Sequence, residues 1–271
     1  MRRLVSKVSR TRTSDMLALC HLTSIPERAQ SGAGSESANG GTGRGVTPRC
    51  RGTLMSVADP LYPCRLDALE QTWQVWGQLG GSLSKAQWSA ASRCPGWDVA
   101  CLYAHHSQFL LAMSAPPPPA PQVSQASGQP QSAVQVLRAF NAPGGVAGTG
   151  ATDVADQAAR EAAQHQPAEL AERFTELSPV VIRRLRAARP DLVVPWPPAP
   201  SGVMLSEGLR IVLLEATVHL LDVQRALGQP PELPDTALAH TASLLAEVAP
   251  CVELIEVATG RSPTSPFPVL R

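Results

Sequence analysis

Three polar residues interrupt the most apolar helical stretch of the chain: Glu215, His219 and Asp222, within Leu205–Leu227. At about 100° per residue, His219 and Asp222 fall about 40° and −20° from Glu215, so all three share one helix edge. Burying a carboxylate and an imidazole among Val212, Leu213, Val218 and Leu221 is expensive unless they are paired or bind a metal. A Glu and a His at i, i+4 can chelate one divalent ion, as in the carboxylate-plus-His sites of helix bundles. Asp222, one turn beyond His219, is placed to accept a hydrogen bond from the imidazole and hold its tautomer. A Glu–His pair at this spacing is also common as a solvated pair, so a metal reading needs another ligand. The helix expected after Trp97 supplies two candidates, His105 and His106. One of them would complete a His/Glu/His set from two facing helices. Zinc or a similar divalent ion suits those ligands, with positions left open for water or substrate.

The elements that would position this set are helical. Leu66, Leu69, Trp73, Trp76 and Leu79 recur at steps of three and four, which predicts a helix over 66–79 ended by Gly80-Gly81. After a loop holding Trp88 and the turn Cys94-Pro95-Gly96-Trp97, Asp98 is the expected N-cap of a helix running to about Met113. Residues 115–150 are rich in Pro, Gly, Ala and Gln and read as a long surface crossover, with room for a short helix near Ala133–Phe140. Helices are expected over 152–165, over Pro167–Ala188 and over Leu205–Leu227. The last is closed by Gly228. A final helical region spans about Asp235–Ala258, interrupted at Pro250. No strand pattern competes. The expectation is all-α: a four-helix bundle with one long connection and extra C-terminal helices.

The chain has 271 residues, 44% of them hydrophobic, 4% aromatic and 17% charged, with a formal net charge of +1. That balance excludes an electrostatic nucleic-acid binder. No apolar run reaches the roughly 18 residues of a membrane-spanning helix. Residues 1–54 hold nine basic residues and three acids, leaving 14 and 19 in the remainder. The leader therefore reads as a disordered basic segment or a misassigned start, with Met55 opening the helical domain over 55–271. Its Gly41-x-Gly43-x-Gly45 cluster follows no strand and is a poor phosphate loop. Six cysteines (Cys20, Cys50, Cys64, Cys94, Cys101, Cys251) form no CxxC pair, which fits reduced thiols and a cytoplasmic location. Cys94 and Cys101 read as small buried residues, Pro116–Pro119 as a spacer, and Arg210 as solvent-facing.

The stretch Arg93-Cys-Pro-Gly-Trp-Asp-Val-Ala-Cys-Leu-Tyr-Ala-His105 resembles the opening signature of the mycothiol-dependent maleylpyruvate isomerase N-terminal family. Leu214-Glu-Ala-Thr-Val-His-Leu-Leu-Asp222 is similar to that family's E-x-x-x-H-x-x-D signature, and Thr259-Gly260-Arg261 to its closing TGR. The resemblance implies a DinB-like four-helix bundle, with metal ligands at His105, Glu215 and His219 and Asp222 supporting them. It selects His105 over His106, and it leaves Trp97 as a packing anchor for the loop.

It also implies a chemistry. A low-molecular-weight thiol, mycothiol in actinobacteria, would be held as thiolate by the metal. Addition to a conjugated oxo-acid, bond rotation and elimination would isomerise it; transfer of the thiol to an electrophile is the related outcome. The ten residues after Arg261 leave no room for the C-terminal domain associated with the isomerase, so the metal site is expected even if that activity is absent. The expected partners are a small substrate and a thiol, with no nucleic acid or membrane, and with a homodimer allowed for. The competing reading is a non-catalytic metal-binding helical module serving stability, sensing or protein interaction.

Overall fold

The computed structural model describes residues 59–115, 128–196, 199–265 and 267–270. The basic leader with its glycine cluster, and Pro116–Pro119, lie outside these residues. Among them run α1 (Tyr62–Ser82), α2 (Lys85–Trp88), α3 (Val99–Ser114), α4 (Ala133–Asn141), α5 (Val146–Thr149), α6 (Ala151–Gln164), α7 (Pro167–Glu176) and α8 (Ser178–Ala187). The strands β1 (Val193–Trp196) and β2 (Ala199–Met204) follow, then α9 (Leu205–Ala226), α10 (Asp235–Val248) and α11 (Cys251–Ala258). The architecture is all-α and DinB-like. Helices α1, α3, α7–α8 and α9 form the bundle; α6 packs on α3, and α10 on α9 and α1.

Aromatic residues of α1 lock the bundle together. Trp73 and Trp76 are fully buried. The Trp76 ring stacks on Phe174 of α7 at 5.0 Å, and its Nε1–H donates to the Ala216 carbonyl of α9 at 3.0 Å. The Tyr103 hydroxyl of α3 donates to the Trp76 carbonyl at 2.9 Å, and the Tyr62 hydroxyl to Leu185 of α8 at 3.0 Å. Each bond satisfies a polar atom that burial would otherwise leave unpaired. Three other bundle helices are thus registered against α1.

The structure corrects five expectations about the elements. The pair Gly80-Gly81 does not end α1, which continues to Ser82. Gly80 lies where α1 meets its neighbours: a Cβ there would stand 2.7 Å from Ala171 Cβ and 2.8 Å from Tyr103 Cε1. The glycine is thus a close-approach residue. The single helix expected over Pro167–Ala188 is two, α7 and α8, because Pro179 brings no N–H and removes its bond to the previous turn. No strand was expected, yet residues 193–204 carry two. Val193↔Met204, Val194↔Val203 and Trp196↔Ala199 pair antiparallel, with Val194, Trp196, Ala199 and Val203 buried.

The short helix allowed for near Ala133–Phe140 is α4, but the crossover is not all surface: α5 follows, and α4 buries Ala133, Val136 and Leu137. Charged side chains pin it. Glu207 of α9 accepts from the Ala133 N–H at 2.6 Å, while Arg138 donates to the last-turn carbonyls of Glu247 and Val248 in α10. Finally, Arg210 is 13% exposed and paired with Glu207 and Glu247 rather than facing solvent.

The glycine pair gives a direct test. Gly80→Ala gains about 1 kcal/mol of helix propensity, but overpacking of this kind costs about 1–3 kcal/mol. Thermal unfolding should show it melting several degrees below wild type. Gly81→Ala, with nothing within 4 Å of its Cβ, should melt at or above wild type. A higher melting temperature for Gly80→Ala would contradict the close-approach role.

Candidate metal centre

The helix edge read from the sequence is real, and α3 faces it. His105, Glu215 and His219 each offer a ligand atom within 4.8 Å of the others. Their imidazole centroids are 5.3 Å apart at 88°, and His219 Nε2 lies 3.3 Å from Glu215 Oε2. His106 is elsewhere. It is fully buried among Trp76, Phe109 and Phe174, and its Nε2 accepts from Trp73 Nε1–H at 3.0 Å. Two adjacent histidines of α3 thus take different faces, one toward α9 and one into the aromatic core.

Asp222 stands on the other side of His219. Its Oδ2 is 3.2 Å from His219 Nδ1. Its Oδ1 accepts from Arg93 Nε at 3.0 Å and Nη2 at 2.7 Å. The Cys94 thiol lies 3.6 Å from Oδ2, half-buried and beside the site, whereas Cys101 is buried as expected. Cys94, His219 and Asp222 make a second group of ligand-type atoms within 4.8 Å, sharing His219 with the first.

A short loop delivers these contacts. Asp98 caps α3 through Oδ1, which accepts from Cys101 N–H at 2.8 Å, as its position predicted. Before it, Trp97 N–H donates to Cys94 O at 3.0 Å, with Pro95 and Gly96 between them and Gly96 at φ +80°. That is a type II turn, in which proline presets the first corner and glycine alone takes the second without strain. Ala91 bridges Asp98 to close the loop. Trp97 does more than anchor it. Its ring lies 5.0 Å from that of His105 and 6.4 Å from that of His219, walling the site. The sequence reading missed Arg93 and this role of Trp97. The Arg-Cys-Pro-Gly-Trp run was their signal, but the 129-residue separation of Arg93 from Asp222 hid the pairing.

The electrostatics follow from the geometry. Burial, reinforced by the charge of His219, lowers the His105 pKa to about 4, so its ring is neutral at pH 7. For His219 burial works the other way from its partners. Hydrogen bonds to Asp222, Cys94 and Glu215 and the charge of Glu215 outweigh it and hold the pKa well above the usual histidine value. Glu215 and Asp222 both stay below the usual carboxylate range: burial opposes ionisation, but His219 outweighs it in each, helped by Arg93 at Asp222. Without metal, a protonated His219 therefore bridges two carboxylates.

The donor set fits a divalent ion. One carboxylate and two imidazoles at this spacing match the three-ligand pattern of open metal sites. The neutral ring of His105 has a lone pair to give, and Asp222 accepts at the far nitrogen of His219, as metal-bound histidines require.

A pH dependence follows, with opposite signs in the two states. A divalent ion held by this set would have to displace the Nε2 proton of His219, so the affinity for added zinc should rise with pH, by up to about tenfold per unit, until the ring titrates. Calorimetry in buffers of different ionisation enthalpy should register about one proton released per zinc at pH 7. Without metal, the raised His219 pKa adds stability that is complete below about pH 6.5 and is lost as pH rises through the folded value. A zinc affinity flat between pH 6 and 8 would contradict the assignment.

Among the described residues no helix is long and apolar enough to cross a membrane. No curated protein and no solved structure matches the chain significantly. A family model described as the mycothiol maleylpyruvate isomerase N-terminal domain matches residues 69–224, a span holding the loop, α3 and the polar edge of α9. With more than half of its length matched, the chain belongs to the mycothiol maleylpyruvate isomerase N-terminal domain family, within the DinB-like superfamily.

Proposed function

We propose that the chain is a metal-dependent enzyme that uses a low-molecular-weight thiol, mycothiol-like, for isomerisation or thiol transfer on a small electrophilic or oxo-acid substrate. The observation that carries this reading is the juxtaposition of His105, Glu215 and His219 within 4.8 Å, in a chain of this family. His105 and His219 would hold the ion through ring nitrogens and Glu215 through a carboxylate oxygen, with zinc the proposed metal. When bound, such an ion supplies Lewis acidity that favours the thiolate form of a thiol, the competent nucleophile.

The chain's own residues do the rest. Asp222 keeps a proton on His219 Nδ1, which leaves Nε2 as the donor atom. Trp97 sets an apolar ring beside the two imidazoles, 5.0 Å from that of His105 and 6.4 Å from that of His219. The reading goes with a cytoplasmic setting, since a reduced thiol co-substrate and the free Cys64, Cys94, Cys101 and Cys251 belong to a reducing compartment.

Elemental analysis of the full chain, untagged and purified without chelator, tests the reading beside His105→Ala. The expected result is about one equivalent of a divalent metal in wild type, lost in the variant at unchanged helix content, and thiol-dependent turnover of a conjugated oxo-acid or an electrophile. Metal without turnover would favour the non-catalytic metal-binding module. A wild-type chain that neither contains metal nor takes up added zinc would overturn both.

A further inference from the structure

Asp222 divides its two oxygens. Oδ2 faces His219 Nδ1 and the Cys94 thiol, while Oδ1 is committed to Arg93 alone. The Asp222 side chain is 10% exposed and that of Arg93 55%. The guanidinium therefore reaches inward from the loop surface to a carboxylate in the bundle wall. A carboxyl group turns easily about its last torsion, which is broad and roughly two-fold. Left to itself, Asp222 could present either oxygen, or neither squarely, to the imidazole. Two donors on Oδ1 remove that freedom and fix Oδ2 opposite Nδ1.

Charge argues the same way. Two groups of ligand-type atoms share His219, and one ring cannot serve an ion equally on both nitrogens. The group on the Nδ1 side already has a cation: Arg93 sits 2.7 Å from Asp222. A divalent ion beside it would meet like charge. The group on the Nε2 side holds Glu215 and the neutral His105, with no Lys or Arg bonded to either among the described residues. The guanidinium thus both orients Asp222 and directs the metal to the other face of the ring.

We propose that Arg93 is a positioning residue of the metal centre: it clamps Asp222 so that His219 presents Nε2 to the ion. It touches neither ion nor ligand nitrogen and acts only through Asp222. The clamp is delivered by the type II turn at Cys94–Trp97, so the same loop that walls the site with Trp97 also sets the orientation of His219, through an aspartate 129 positions from Arg93. This inference rests on the metal reading above.

Zinc dissociation constants of the full chain, measured by competition with a chromophoric chelator, test it. The variants are Arg93→Ala, Arg93→Lys, Asp222→Ala and the double variant Arg93→Ala/Asp222→Ala. Losing a partner of a metal-bound histidine weakens metal binding by about 10–100-fold. Asp222→Ala should fall in that range and Arg93→Ala near its lower end, about tenfold. Arg93→Lys should recover most of the loss, because it restores a cationic donor.

In the Asp222→Ala background, removing Arg93 should change the constant by less than about twofold. A merely structural role of the loop would predict the same loss in both backgrounds. Circular dichroism should show unchanged helix content throughout, since Arg93 is largely exposed. The proposal is overturned if Arg93→Ala binds zinc like wild type, if its effect persists without Asp222, or if lysine does not rescue. In each of those cases wild-type zinc binding leaves the metal reading standing. A wild-type chain that binds no zinc overturns both.

Discussion

An imidazole has two nitrogens, and in this bundle those of His219 face different partners. Nδ1 is 3.2 Å from Asp222 and Nε2 is 3.3 Å from Glu215, with the ring of His105 standing edge-on beside it. Carboxylates and imidazoles gathered in a helix wall are costly to desolvate unless each has a partner. In the metal-free chain a proton on His219 supplies the balance by bridging two carboxylates. A divalent ion at Nε2 would supply it with a larger charge, and would convert a structural ion pair into a centre with open positions. Proton and metal would compete for one nitrogen, while Asp222 faces the other.

The bundle is built to hold that ring still. Trp76 ties α1 to the Ala216 carbonyl, one residue from Glu215; Phe174 of α7 stacks on its indole, and the Tyr103 hydroxyl of α3 donates to its backbone carbonyl. His106 is spent in this aromatic core, where its Nε2 accepts from Trp73. On the opposite side the loop from Ala91 to Asp98 brings a cation to Asp222 and an indole to both imidazoles. The apolar core sets the distance between α3 and α9, and the loop sets the orientation of the groups between them. A site of this kind depends on both, because a ligand misplaced by an ångström changes affinity as surely as a missing one.

What the sequence revealed was what local physics determines. The shared edge of Glu215, His219 and Asp222 follows from helical phase alone, and Asp98 announces α3 through its capping chemistry. Helix α9 was expected over Leu205–Leu227 and runs over Leu205–Ala226. What stayed hidden depends on tertiary contact. Neighbouring His105 and His106 cannot be separated by residue type; the resemblance favoured His105, and the fold places it beside Glu215 while burying its neighbour. Gly80 looked like a helix stop because its crowding comes from Ala171 and Tyr103 on other helices. The strands at 193–204 are short and carry Pro195 and Pro200, and although a short helix near Ala133–Phe140 was legible, the burial of Ala133, Val136 and Leu137 in that low-complexity stretch was not. Arg93 was passed over because its partner lies on the far side of the sequence.

In the proposed site the ion lies on the Nε2 side of His219 and not on the Cys94 side. X-ray absorption at the zinc edge of the zinc-loaded full chain tests it most directly. The expected spectrum has nitrogen and oxygen neighbours at about 2.0–2.2 Å, with the multiple-scattering signature of two imidazoles and no sulfur. A sulfur neighbour at about 2.3 Å would put Cys94 on the metal and contradict it.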